Sequence, residues 1–130
     1  MSEIIKIDET NIIPFLKTWG SEVGKPFSQK IYLIKVRIAG TWYVDNIVEL
    51  GKRLEPGLRL NFFREPDNPH DKLAIVVKDD QGNKLGYVPR GNNEILARLM
   101  DVGKLIYGII VDKKTYKDSV DINMQVFMDD

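Results

Sequence analysis

"REPDNPHDKLAIVVKDDQGNKLGYVPR", residues 64–90, decides how this chain reads. Its second half has the pattern of a β-hairpin. Leu73 to Lys78 is a short apolar run, and it pairs with Lys84 to Val88 across Asp-Asp-Gln-Gly-Asn, where Gly82 supplies the positive φ of the turn. The first half is polar. Two prolines, Asn68, three acids and the chain's only histidine, His70, crowd together just before the buried strand. Pro66 and Pro69 fix φ and start turns. Asn68 and Asp71 are residue types that accept bonds from nearby backbone N–H groups. Such a stretch is either a solvated connection or a site that holds something, and its composition alone leaves both readings open.

Working outward, the flanks are also strand-like. Tyr32, Ile34, Val36 and Ile38 alternate with Leu33, Lys35, Arg37 and Ala39, the period of a half-buried strand. Gly40 marks a bulge or bend, and Trp42 to Leu50 is expected to continue as strand. Pro56-Gly57 reads as a turn. Beyond it Leu58, Leu60 and Phe62 face one way, and Arg59, Asn61 and Phe63 the other. On the C-terminal side "NNEILARLMDVG" predicts a helix. Asn92 or Asn93 caps it, Glu94 lies in its first turn, Gly103 ends it, and Ile95, Leu96, Leu99 and Met100 form its apolar stripe. "KLIYGIIVDKK" (104–114) and "VDINMQVFMDD" (120–130) predict two more strands with Tyr116 in the loop between them. Residues 1–29 stand apart as an N-terminal extension, in which "NIIPFLKTWG" reads as a short helix or an ordered arm. Residues 30–130 are expected to form a mostly β domain: a small OB-like antiparallel barrel of about six strands with one or two helices.

Composition narrows the function. The chain has 130 residues, 43% of them hydrophobic, enough for one domain with a core. Its 29% charged residues balance at 19 basic against 19 acidic. A protein that coats nucleic acid carries a positive excess, so any nucleic-acid contact here is expected to be local. There are no cysteines, which excludes disulfides, thiolate metal sites and a cysteine nucleophile. No apolar run is long enough to span a membrane, and acids stand where a signal peptide would be basic. The expectation is a cytoplasmic protein without membrane contact.

Enzyme readings are weak. "GSEVGK" (20–25) is one residue short of a P-loop, and Pro26 stands where a Mg²⁺-binding hydroxyl belongs. His70 with Asp67 and Asp71 has metal-ligand residue types but no metal-ligand spacing. Pro66-Asp67 together with Asp112-Lys113-Lys114 resembles the paired elements of one class of Mg²⁺-dependent nucleases, in short matches that chance often supplies. The residues call for no cofactor and no metal.

The opening stretch with its continuation is more specific. Arg64, Glu65, Pro66, Asn68, Pro69, Asp71, Ala74 and Ile75, then Gly82, Gly86, Tyr87, Pro89 and Arg90, then the leucine-bearing helix, resemble the signature of the HIRAN domain family in unbroken spacing. The resemblance runs over about residues 30–130. It implies a modified OB-like barrel that binds DNA without catalysis. In family members fused to fork-remodelling motors the domain takes the 3′-hydroxyl end of single-stranded DNA. This chain resembles the small free-standing bacterial members, which makes DNA repair or replication the expected context and a helicase or nuclease acting in trans a candidate partner.

The resemblance also implies roles for particular residues. Asp71 matches the end-binding Asp. An ionised carboxylate accepts strongly from a terminal hydroxyl and repels a terminal phosphate. Asn68 matches the Asn beside it, and His70 falls where the animal members have a Tyr. Arg90 matches a basic residue suited to a phosphate. Trp42 and Tyr43 align with a pair suited to base stacking, with Trp42 in place of an Arg. A protein-interaction adaptor on the same fold is the alternative, and the nuclease is a third.

Overall fold

The computed structural model describes residues 29–129. Six strands form one antiparallel sheet: β1 (Lys30–Arg37), β2 (Arg59–Arg64), β3 (Ile75–Lys78), β4 (Lys84–Tyr87), β5 (Leu105–Thr115) and β6 (Val120–Asp129), in the spatial order β1-β6-β5-β2-β3-β4. Two helices accompany it, α1 (Ile47–Gly51) and α2 (Asn93–Asp101). No helix among the described residues is long and apolar enough to cross a membrane. The helix expected near Pro14 lies outside the described residues.

One sheet face makes the core because inward positions alternate with outward ones. Leu60 and Phe62 on β2, Ile106 and Ile110 on β5, and Ile122, Met124 and Val126 on β6 are all buried. Ile47 from α1 and Leu96 and Ala97 from α2 close over the same cluster. Burying each large aliphatic side chain contributes about 1.5–3 kcal/mol against chain entropy. The expected helix stripe is therefore corrected by one position. Leu96 and Ala97 are buried, Leu99 and Met100 are half-buried, and Ile95 is exposed.

Two other expectations change. Trp42 to Leu50 is not strand. Gly40 (φ 75°) and Asn46 (φ 63°) both sit in the left-handed region, which turns the chain twice within seven residues. Thr41–Tyr43 is a single 3₁₀ turn and Ile47–Gly51 a short helix. On β1 the register slips between Tyr32 and Ile34, so Tyr32 does not share the buried side of Val36 and Ile38.

The sheet edges meet at one place. Ala39, just past β1, and Tyr87 of β4 exchange both backbone bonds, at 2.8 and 2.9 Å, in an isolated antiparallel bridge. Gly86 permits this approach, since a Cβ there would collide with the Ala39 carbonyl oxygen. Among the described residues no ladder of strand pairing continues the bridge, so the barrel expected from the sequence is present as an antiparallel sheet whose edges touch rather than as a closed ladder.

Candidate functional site

The turn between β2 and β3 is braced by its own side chains, which satisfy its backbone. Asn68 Oδ1 accepts from the N–H groups of His70 (2.8 Å) and Asp71 (3.1 Å), while Asn68 Nδ2 donates to Glu65 Oε1 at 3.0 Å. Asp71 Oδ1 accepts from the Leu73 N–H at 2.9 Å. These are the Asx-type bonds that the residue types suggested. Arg64, the last residue of β2, fastens the turn from below. It donates to the carbonyls of Ala74 (2.7 Å) and Lys72 (3.0 Å) and forks onto Asp101 of α2.

Beside this turn lies a cleft of about 290 Å³, walled by Asn68, His70, Asp71, Tyr87, Arg90 and Asn93 and floored by Ala39 and Gly40. The β1–β4 bridge supplies the floor, and the 3₁₀ turn Arg90–Asn92 with the start of α2 supplies the far wall. Asp71 is its electrostatic centre. Asn93 Nδ2 donates to Asp71 Oδ2 at 2.8 Å, and Arg90 Nε stands 3.5 Å from the same oxygen. Arg90 Nη2 also donates to the His70 carbonyl at 3.3 Å.

The Leu73 N–H and then the Asn93 amide hold the Asp71 carboxyl below the usual carboxylate range, against the cost of partial burial, with the Arg90 and Arg64 charges adding to the effect. It is an anionic acceptor at neutral pH. Glu65 is lowered likewise, chiefly by the Asn68 amide against partial burial, with the Tyr87 hydroxyl and Lys84 and Lys78 contributing. Tyr87 donates to Glu65 Oε1 at 2.8 Å and accepts from Lys84 Nζ at 3.0 Å, so its hydroxyl is already engaged.

Of the residues singled out in the sequence, Asn68, His70, Asp71 and Arg90 surround this one cleft. Trp42 and Tyr43 stand next to it on the 3₁₀ turn after Gly40. They are 69% and 81% exposed, so neither ring belongs to the core. Their ring centroids are 5.4 Å apart, tilted by 58°. Trp42 borders a second depression with Arg37 and Tyr116, which shares Ala39 and Gly40 with the cleft. Arg64 is committed to carbonyls and Asp101 and does not wall the cleft.

Asn93 was missed. The sequence reads Asn92 or Asn93 as the helix cap; Asn92 takes the cap position without a side-chain cap bond, and the Asn93 side chain reaches Asp71 across 22 positions. Its one signal was being the second of two adjacent Asn residues, where a single cap would suffice. The nuclease elements are not brought together. Antiparallel pairing of Asn61 with Tyr107 sends Asp67 and Asp112 toward opposite ends of the sheet, roughly 25 Å apart at strand rise. Among the described residues no three His, Asp or Glu side chains converge as a metal site.

The comparisons with known proteins bear on the family and the fold. The HIRAN domain family matches residues 31–129. Among solved structures, a protein from Lactobacillus plantarum is 32% identical over 79% of this chain and 98% of its own, with a TM-score of 0.73. The HIRAN domain of human HLTF shares the fold at 20% identity, covering 77% of this chain and 78% of its own, with a TM-score of 0.59. A structure of the HLTF HIRAN domain in its DNA-bound conformation is 22% identical, covers 76% and 79%, and has a TM-score of 0.51. No curated protein matches the chain.

Proposed function

The chain belongs to the HIRAN domain family, and from that membership and the cleft around Asp71 we propose that it is a non-catalytic DNA-binding module that takes the 3′-hydroxyl end of a single strand. The observation that carries the reading is the Asp71 carboxylate, kept anionic at the mouth of a cleft with Arg90 on its rim. The terminal hydroxyl donates to Asp71, the phosphate behind it meets Arg90, and the last bases lie against Trp42 and Tyr43. A 3′-phosphate brings a dianion against the same carboxylate and is rejected. Asn68 positions the turn, since its amide oxygen is spent on two backbone N–H groups. His70 offers an exposed ring at the lip.

On this reading the touching sheet edges form an OB-like barrel, and the protein acts in the cytoplasm on strand ends exposed during replication or repair, beside a helicase or nuclease supplied in trans. The test is fluorescence anisotropy at low salt with one short strand ending in 3′-OH, its 3′-phosphate twin and a blunt duplex, with and without Mg²⁺. Preference for the 3′-OH strand, lost in Asp71→Ala and without cleavage, is the expected result. Binding that survives Asp71→Ala with its end preference intact would move the site elsewhere. No binding to any of the three ligands would favour the protein-interaction adaptor.

A further inference from the structure

The outer face of the sheet carries a second feature, which the end pocket does not use. Tyr87, in the wall of the cleft, pairs across β3 with Val76, and Val76 pairs with Phe63 of β2. Two residues back on the same face, Asn61 pairs with Tyr107, Tyr107 with Phe127, and Phe127 with Tyr32 at the far edge. Aromatic rings therefore run from the cleft to β1. Five inter-strand spacings make this a path of about 24 Å.

Each ring but the last has a cation over it. Lys84 lies 4.5 Å from the Tyr87 ring centre, Lys78 5.0 Å from Phe63, Arg59 3.8 Å from Tyr107, and Lys30 4.4 Å from Phe127. None of these four cations has a carboxylate within ion-pair distance among the described residues. The two carboxylates beside the rings are occupied, Glu65 accepting from Tyr87 and Asp129 from Tyr107. Tyr32 and Phe63 are half-exposed and leave ring surface open to solvent. In a chain of zero net charge, this face gathers four cations that form no ion pair among the described residues, with the charges of Lys84 and Lys78 acting on the single carboxylate of Glu65.

We infer that a single nucleic-acid strand leaving the cleft lies across this face, its bases against Phe63 and Tyr32 and its phosphates at Lys84, Lys78, Arg59 and Lys30. Cations along a backbone path with open rings between them are the two parts of a strand-binding groove, and the path length suits a site of several nucleotides. A protein partner fits less well, because the centres of protein interfaces are depleted in Lys and here a Lys covers three of the five rings. The inference rests on the proposed end-binding reading for its starting point.

The test is anisotropy with 3′-OH oligothymidylates of about 2 to 12 nucleotides over a range of salt. Affinity should rise at least ~10-fold between the shortest ligand and one of about 8 nucleotides, with a steeper salt slope. Lys30→Ala, Arg59→Ala and Lys78→Ala together should flatten the log–log salt slope of the long ligand by about 2, at ~0.7 for each phosphate no longer neutralised. The shortest ligand should keep its affinity within about twofold, because it does not reach these cations. Tyr32→Ala with Phe63→Ala should weaken the long ligand and leave the slope unchanged. Short ligands that bind without any gain from length would overturn the track and leave the end pocket standing. Length-dependent binding indifferent to the 3′ group would support the track and overturn the end pocket. No binding at any length would overturn both.

Discussion

Arg64→Gln should destabilise the domain by about 3 kcal/mol while leaving the chemistry of the cleft in place. The figure follows from what the side chain does. Its side chain is only 15% exposed. The partly buried bond to the Ala74 carbonyl, at 2.7 Å, is charge-assisted and contributes about 1.5–3 kcal/mol. The exposed bond to the Lys72 carbonyl adds ~0.5–1 kcal/mol, and the fork onto half-exposed Asp101 ~0–1 kcal/mol. Glutamine cannot span both carbonyls and the carboxylate. Arg64→Lys should lose most of the same energy, since an ammonium keeps the charge but not the fork. Asp101→Asn should cost under about 1 kcal/mol. Urea unfolding with a shared m-value measures each, and the melting temperature of Arg64→Gln should drop by more than about 10 °C. An Arg64→Gln protein within ~0.5 kcal/mol of the parent, with weaker DNA binding and a salt slope reduced by ~0.7, would refute the reasoning. Arg64 would then be a phosphate ligand and not the fastening of the turn.

Two further outcomes follow from the site. Trp42→Ala and Tyr43→Ala should each weaken binding by ~1–3 kcal/mol in anisotropy, with no change in melting temperature, because both rings are exposed; a drop in stability instead would make them packing residues. Affinity for a 3′-OH oligothymidylate should stay level from neutral pH down to about pH 4 and fall only below it. The folded-state pKa of Asp71 is lowered, so its anionic contribution is present above the ordinary carboxylate range and is lost only as pH falls through the depressed value. An affinity that disappears well above about pH 4.5, while the fold persists by circular dichroism, would show that the acceptor is some other group.

The readable parts of the sequence were those governed by near neighbours. The β3–β4 hairpin is legible because Gly82 (φ 85°) turns between an apolar run and its partner. The Asx bonds of Asn68 and Asp71 span two or three residues, within reach of residue type alone. Trp42 to Leu50 misled because Trp, Tyr, Val and Ile favour strands, while two left-handed residues, Gly40 and the non-glycine Asn46, set the actual path. Tyr32 misled because one register slip in β1 moves a side chain to the other face.

The sequence by itself determined the family, the strands other than the misread segment, and the gathering of Asn68, His70 and Asp71 in one turn, because periodicity and turn chemistry are written over a few adjacent positions. Only the tertiary structure decided which groups serve Asp71. Asn93 reaches it across 22 positions, and Arg64 reaches Asp101 across 37. It alone set Arg90 beside the same carboxylate and placed the ringed, cation-bearing face next to the cleft. Those partners are chosen by how α2 and the β1–β4 bridge pack against the sheet. Packing of that kind depends on the shape of the whole core, and no local pattern encodes it.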